Sequence, residues 1–253
     1  MRNIKLEIEY DGTGYSGWQV QNRHSGKSSA SRCNTIQATI EYALKKILQE
    51  DIRLIVSGRT DAGVSSLGQV ANFMTCSRID LKKLQVGLNG NLPEDIVITK
   101  IEEAGLDFHS RFSAKSKLYR YSILNRSYPS AFLRNKTWFY PHPLDIRLMR
   151  EEARVILGRH DFCAFQASGS RVKDCVRNIM KLKISRVEDI IYIDIEADGF
   201  LYNMVRNIVG TLVEIARGRF RRGSLKKIMR SKDRRSAGPT APACGLCLLR
   251  VNY

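Results

Sequence analysis

The chain has 253 residues, enough for one large domain or two modest ones with real cores, and its 43% hydrophobic and 26% charged content is ordinary for a soluble globular protein. The charge balance is not ordinary: 42 Lys and Arg against 25 Asp and Glu leave a formal +17, which favours a polyanionic partner, nucleic acid before a membrane surface. No apolar run approaches the roughly 18 residues that span a bilayer, no lipidation signal stands out, and the N-terminus enters a strand pattern without a leader, so no membrane and a cytoplasmic location are expected.

Ile4, Leu6, Ile8 and Tyr10 alternate with polar neighbours, which predicts a half-buried strand. It runs into Asp11-Gly12-Thr13-Gly14-Tyr15-Ser16-Gly17-Trp18-Gln19, a glycine-rich loop without Walker or dinucleotide spacing, whose simplest reading is a turn with locally packed aromatics. Residues 22–33 are polar and Ser-rich and read as a surface loop. Asn34 or Thr35 caps a helix whose stripe is Ile36, Ile40, Leu44, Ile47 and Leu48. Short apolar runs at 54–56 and 70–73 flank a loop containing Gly58-Arg59-Thr60-Asp61-Ala62-Gly63. Asp80 caps a helix through Leu81, Leu84 and Leu88 that Asn89-Gly90-Asn91-Leu92-Pro93 breaks, and Ile96 and Ile98 begin another strand. The order β, α, β, β, α, β is ferredoxin-like.

The second half repeats this grammar. Residues 118–124 alternate, with Tyr119, Tyr121 and Ile123 on one face. Asp145 caps a helix running to Gly158, and Met180, Leu182 and Ile184 share a strand face, as do Ile191, Ile193, Ile195 and Ala197. Residues 203–216 form a helix, and 246–251 form a closing strand. The expected fold is α+β: two ferredoxin-like subdomains, 1–105 and 106–253, with antiparallel sheets joined into one central sheet and a catalytic cleft between them.

The six cysteines are expected as reduced thiols in a chain without a secretion signal. Cys244 and Cys247 form a CxxC, but Cys163 and Cys175 are separated by eleven residues, and zinc is disfavoured. His24, His109, His142 and His160 lack metal-ligand spacing; His160 reads as a capping or packing residue. No metal or cofactor is expected. The 217–235 segment holds ten Lys and Arg against one acid, Asp233, and reads as a phosphate-binding surface that includes Arg221 and Arg222. Arg206 sits among apolar helix neighbours and needs a carboxylate or phosphate partner, for which Asp61 is a candidate. The loop at 57–70 admits two readings: a surface turn with an incidental ion pair, or one carboxylate, Asp61, held ionised by Arg59 and presented by glycines. A single Asp without a second acid argues against a two-carboxylate glycosidase and metal hydrolysis, and leaves covalent carboxylate catalysis open.

The run Gly58-Arg59-Thr60-Asp61-Ala62-Gly63-Val64, continuing to Gly68-Gln69-Val70-Ala71, closely resembles the signature of TruA-type tRNA pseudouridine synthases. Six further segments resemble the same family in the same order. They are Tyr10-Asp11-Gly12-Thr13 with Gly17-Trp18-Gln19; Phe108-His109 with Arg111; Tyr119-Arg120-Tyr121; Gly158 with His160-Asp161-Phe162; Phe200-Leu201-Tyr202-Asn203-Met204-Val205-Arg206; and Ala243 with Gly245-Leu246. The resemblance implies an isomerase that turns uridine into pseudouridine in the anticodon stem-loop of tRNA, at positions 38–40, without cofactor. It implies Asp61 as the nucleophile, attacking either the uracil ring or ribose C1′. Arg59 would pair with Asp61 and help displace the nucleotide, Tyr119 would stack on the flipped uracil, Arg206 would hold the carboxylate, and Leu246 would line the pocket. It implies a homodimer with tRNA across both subunits. The chain departs from the family at Ser65-Ser66, where His-Ala is usual, in the length of the 22–33 loop, and at Cys247, where an aromatic is common. The runner-up is a non-catalytic RNA-binding protein on the same fold.

Overall fold

The computed structural model describes residues 1–20, 34–167, 169, 172 and 174–253. The polar loop expected at 22–33 lies outside the described residues. Two compact units emerge: Met1–Lys115 with Leu248–Tyr253, and Ser116–Cys247. The mixed composition of sheets and helices establishes the α+β class.

In the first unit the elements are β1 (Arg2–Tyr10), α1 (Ile36–Leu48), β2 (Ile55–Val56), β3 (Ser65–Thr75), α2 (Leu81–Asn91) and β4 (Ile96–Ala104). The strands are antiparallel in the order β4-β1-β3, with β2 on β3, which is the ferredoxin-like arrangement. The alternation of β1 does what its pattern requires: Ile4, Leu6, Ile8 and Tyr10 are buried under α1 and α2. Thr35 caps α1 by accepting from the Ala38 N–H, and Ile36, Ile40 and Leu44 are wholly buried. Each such side chain contributes about 1.5–3 kcal/mol. Asp80 caps α2 as expected, but the helix continues through Asn89 and Gly90 to Asn91. The Asn89 side chain explains this, because it exchanges hydrogen bonds with the backbone of Ile98 on β4. Asn3 points off the apolar face of β1 yet is buried, and its amide is satisfied by the carbonyls of Gly105 and Phe108 and by Asn72.

The second unit contains β5 (Ser116–Leu124), β6 (Trp138–Phe139), α3 (Ile146–Ala153), β7 (Gly158–Asp161), β8 (Val176–Val187), β9 (Ile190–Ala197), α4 (Met204–Ala216) and α5 (Ser224–Ser231). Its sheet runs β5-β9-β8-β7, antiparallel, with β6 parallel to β5. Asp145 caps α3, which ends earlier than expected in a 3-10 turn at Arg154–Ile156, and Gly158 opens β7 at φ 91 instead of terminating the helix. His160 contacts the Leu157 carbonyl at 2.7 Å, in keeping with a packing role. Met180 is exposed instead of sharing a face with Ile184, because the β8–β9 register shifts between Ile179 and Lys181 and buries Ile179 in its place. Every residue of α4 except Arg206 is buried, so this helix is the centre of its unit.

The last strand, β10 (Leu246–Asn252), starts in the second unit and finishes in the first. There the Leu248 carbonyl accepts from Ser66 Oγ at 3.1 Å. The cysteine expectation is corrected: Cys163 and Cys175 are joined as a disulfide, 5.2 Å apart at Cα. Their proximity comes from the β7–β8 pairing, which sequence spacing does not reveal. With both sulfurs used, the four-thiolate zinc reading has no support.

Candidate active site

The 57–64 loop leaves β2 and enters β3 under unusual restraint. Glycines at Gly12 and Gly17 let the preceding loop press directly on it. A Cβ on Gly12 would sit 2.0 Å from the Val64 carbonyl oxygen, and one on Gly17, itself at φ 91, would sit 2.7 Å from the Thr60 carbonyl oxygen. The Trp18 N–H donates to that Thr60 carbonyl at 3.0 Å, and the Val64 N–H closes back on the Asp61 carbonyl at 3.1 Å. Trp18 itself is buried against Tyr10, so the aromatics of the 11–19 loop pack locally as expected. Tyr15 donates to Asp95 at 2.6 Å, and burial together with that carboxylate pushes its phenol pKa up.

Beneath the loop lies a polar network that sequence reading missed. Gln69 is fully buried on β3. Its amide donates to the Gly58 carbonyl at 2.9 Å and to Tyr10 Oη at 3.3 Å, while its carbonyl accepts from Ser57 Oγ at 2.6 Å. Tyr10 Oη in turn meets Thr60 Oγ1 at 2.8 Å. The two residues flanking Arg59 are therefore bolted to the sheet, and Arg59 is exposed while Asp61, two residues further on, is half-buried. A register shift at the end of β1 sets Ile8 opposite Gln69 and Tyr10 opposite Ser66. Sequence alone offers little signal for this network, because the burial and partners of Gln69 follow from the β1–β3 register.

Ser65 and Ser66 both have structural work. Ser65 Oγ accepts from the Gly12 N–H at 3.1 Å and donates to Asp11 at 3.4 Å, tying the two loops together. Ser66 is fully buried and fixes β10 through the Leu248 carbonyl.

In the second unit Tyr119 lies on β5, 7% exposed, with its ring edge-on to Phe200 at 5.1 Å. Arg206 occupies the first turn of α4, where its NH1 donates to Asn203 Oδ1 and its Nε to the Ala241 carbonyl, each at 2.8 Å. Asn203 takes φ 58 at the helix N-cap, which leaves its side chain for Arg206 instead of the helix N–H groups. Leu246 is 7% exposed and follows Gly245, where a Cβ would meet the Tyr121 ring at 2.6 Å. The glycine thus sets the path of the chain into Leu246.

Apart from Arg234, the basic run resolves into two classes. Arg217 and Arg219 approach Glu214, Arg222 pairs with Glu151 at 2.7 Å, Lys232 with Asp161 at 2.7 Å, and Arg235 with Asp233. Lys232 holds the Asp161 carboxyl below its usual range. Arg221, Lys226, Lys227 and Arg230 are exposed on or beside α5. That helix has no side-chain cap of its own, since Gly223 precedes it at φ 82. Glu152 of α3 supplies the cap from outside, accepting from the N–H groups of Gly223 at 2.6 Å and Leu225 at 3.2 Å. Glu152→Ala is expected to cost about 1–2 kcal/mol by chemical denaturation, the range for loss of a helix cap. A change below 0.3 kcal/mol, on the order of experimental scatter, would show that the cap carries nothing.

Among the described residues one group has metal-capable side chains close together, Asp161, Cys163 and Cys175, but the disulfide occupies both sulfurs and Lys232 the carboxylate. No described helix is long and apolar enough to cross a membrane.

A family model described as tRNA pseudouridine synthase matches residues 8–113 and 153–253. A tRNA pseudouridine synthase A from Acetivibrio thermocellus is 48% identical over 253 residues, covering all of both chains. A protein of the same name from Thermoanaerobacter sp. is 44% identical over the same full length. A tRNA pseudouridine synthase A 2 from Clostridium perfringens is 46% identical, again over all of both chains. A chain of a Cbf5-Nop10-Gar1 crystal structure covers 97% of this chain and 58% of its own at 13% identity and a TM-score of 0.37, a likeness too remote to bear on mechanism.

Proposed function

Because the chain belongs to the tRNA pseudouridine synthase family, we propose that it isomerises uridine to pseudouridine in the anticodon stem-loop of tRNA, at positions 38–40, with Asp61 as the nucleophile. The observation that carries the assignment of Asp61 is the restraint on its loop: Gly12, Gly17, Tyr10 and Gln69 converge on the residues around one half-buried carboxylate. A turn serving only to connect β2 to β3 has no need of two glycines pressed to its carbonyls and a fully buried amide beneath it.

The reaction needs no net atom transfer. The N1–C1′ glycosidic bond breaks, the base turns, C5 bonds to C1′, and the proton on C5 leaves while N1 ends protonated. Asp61 adds to the uracil ring or to C1′ and is released at the end, which requires it ionised and fixed in position. Arg59 keeps the carboxylate charged and takes up the space of the displaced nucleotide. Tyr119 stacks on the flipped uracil with its phenol near the C5 proton; its edge-on contact with Phe200 supports that role by fixing the ring. Arg206 holds the carboxylate, and Leu246 gives the uracil an apolar wall. Arg221 and Arg222 meet RNA phosphates; the Glu151 carboxylate beside Arg222 orients that guanidinium in the free protein. The working protein is a cytoplasmic homodimer with tRNA lying across both subunits.

The direct test incubates the protein with an unmodified tRNA transcript and maps pseudouridine by base-resolved sequencing. Product confined to the anticodon stem-loop is expected. Tight binding without any product would replace this reading by that of a non-catalytic RNA-binding protein. Neutralising Arg221 and Arg222 together is expected to weaken tRNA binding and to reduce the slope of log affinity against log salt by up to about 2. An unchanged slope removes α5 and its approach from the RNA-binding surface.

A further inference from the structure

Residues 237–241 form a strap that crosses the buried helix α4 at backbone contact. A Cβ on Gly210 would lie 1.8 Å from the Pro239 carbonyl oxygen, and one on Gly238 would lie 2.8 Å from Thr211 Cα. Ala241 closes on Arg206 from both ends: its N–H donates to the Arg206 carbonyl at 3.1 Å, and its own carbonyl accepts from Arg206 Nε at 2.8 Å. Whatever sets the strap therefore sets the guanidinium of Arg206.

Arg234 sets the strap. Its NH1 donates to the Gly238 carbonyl at 2.9 Å and the Ala237 carbonyl at 3.5 Å, and its NH2 to Thr240 Oγ1 at 3.1 Å and Asn207 Oδ1 at 3.0 Å. Thr240 Oγ1 donates to the same Asn207 oxygen at 2.6 Å. Asn207 is fully buried one residue after Arg206, and its amide is anchored on the Phe165 carbonyl at 2.8 Å. The Gly238 N–H donates to Thr211 Oγ1, which donates to the Asn207 carbonyl. Among the described residues all the acceptors of Arg234 are neutral, unlike those of its basic neighbours Lys232 and Arg235. A partly buried cation without a carboxylate is an expensive way to pack a surface turn, and burial does lower the Arg234 pKa from the ordinary arginine value. Its five donors in a rigid fork do suit one task, holding several carbonyl and amide oxygens in one plane.

We propose that Arg234 is a positioning residue for the isomerisation, fixing the aim of Arg206 through Thr240, Asn207 and the 237–241 strap, and that it does not belong to the RNA-binding surface around it. The inference rests on the role of Arg206 proposed above. It separates Arg234 from Arg221 and Arg222, with which it shares a charge run but not a function.

The test is a double-mutant cycle on single-turnover rates with unmodified tRNA and saturating enzyme, with tRNA affinity measured alongside. Arg234→Gln is expected to slow turnover about 10- to 100-fold, the scale of a misplacement near 1 Å, while tRNA affinity stays within about two-fold because no phosphate contact is lost. Combined with Arg206→Lys, it is expected to add less than about two-fold to the loss from Arg206→Lys alone, since both act at one point. Arg234→Lys, which keeps the charge but not the fork, is expected to fall with Arg234→Gln. If Arg234→Gln does not fold, Thr240→Val carries the same cycle by removing two bonds of the network. Multiplicative losses, a normal rate in a folded variant, or a loss of affinity equal to the loss of rate would each overturn the inference. An unchanged rate in Arg206→Lys would instead overturn the role of Arg206, and this inference with it.

Discussion

Asp61→Asn is expected to reduce pseudouridine formation at least about 10⁴-fold, the scale on which a covalent nucleophile is lost, with tRNA affinity within a few-fold of the original. The reason is local. Asn is isosteric with Asp, so the Trp18 N–H on the Thr60 carbonyl, the Val64 N–H on the Asp61 carbonyl and the Tyr10–Thr60 contact all survive the substitution. What disappears is the negative charge and the nucleophilic oxygen pair. The proposed function puts affinity in the basic surface, so binding is expected to persist. Rate measurements under single-turnover conditions with a gel-shift control separate the two, and near-normal turnover in Asp61→Asn would reassign the nucleophile.

Gln69→Leu is expected to produce the largest loss from a residue that touches no substrate. Leucine is close in volume, so no large cavity opens, but the Gly58 carbonyl loses its donor and Ser57 Oγ its acceptor in a buried setting. An unsatisfied buried polar group costs about 1–3 kcal/mol, so a destabilisation of about 2–5 kcal/mol is expected for this pair, measured by denaturant titration. Turnover is expected to fall about 100-fold in the folded fraction, because the loop on either side of Arg59 is no longer held to β3. Gln69→Glu keeps an acceptor for Ser57 but replaces the amide donors with a buried carboxyl, and is expected to destabilise at least as much. Should Gln69→Leu keep full activity per folded molecule, the network would be a stability device without bearing on the site.

The strands around Ile4, Ile123 and Ile193 and the helices capped by Thr35, Asp80 and Asp145 were legible because their information is local: a period of two or 3.6 and a side chain reaching its own backbone three residues on. The failures occurred where a distant residue intervened. Asn89 extends α2 by bonding to β4, the β8–β9 bulge exchanges Met180 for Ile179, and the β7–β8 pairing brings Cys163 to Cys175. The candidate site divides the same way. Arg59 and Asp61 share one loop, and Arg206 stands out as the cation of a largely apolar helix. Gln69, Ser65, Glu152 and Arg234 carry no such mark, because each is defined by a partner far along the chain or by the absence of a charged one.

The sequence by itself determined the α+β class, the order of most elements, the basic character of the chain and, through seven collinear segments, its family. Tertiary structure alone decided which polar groups meet: Gln69 with Gly58 and Tyr10, Glu152 with the start of α5, Arg234 with the strap that holds Arg206. Periodicity encodes which face of an element is buried. It does not encode hydrogen-bond partners across tens of residues, since these depend on register, bulges and close backbone approach at glycines, all of which exist only once the chain has packed.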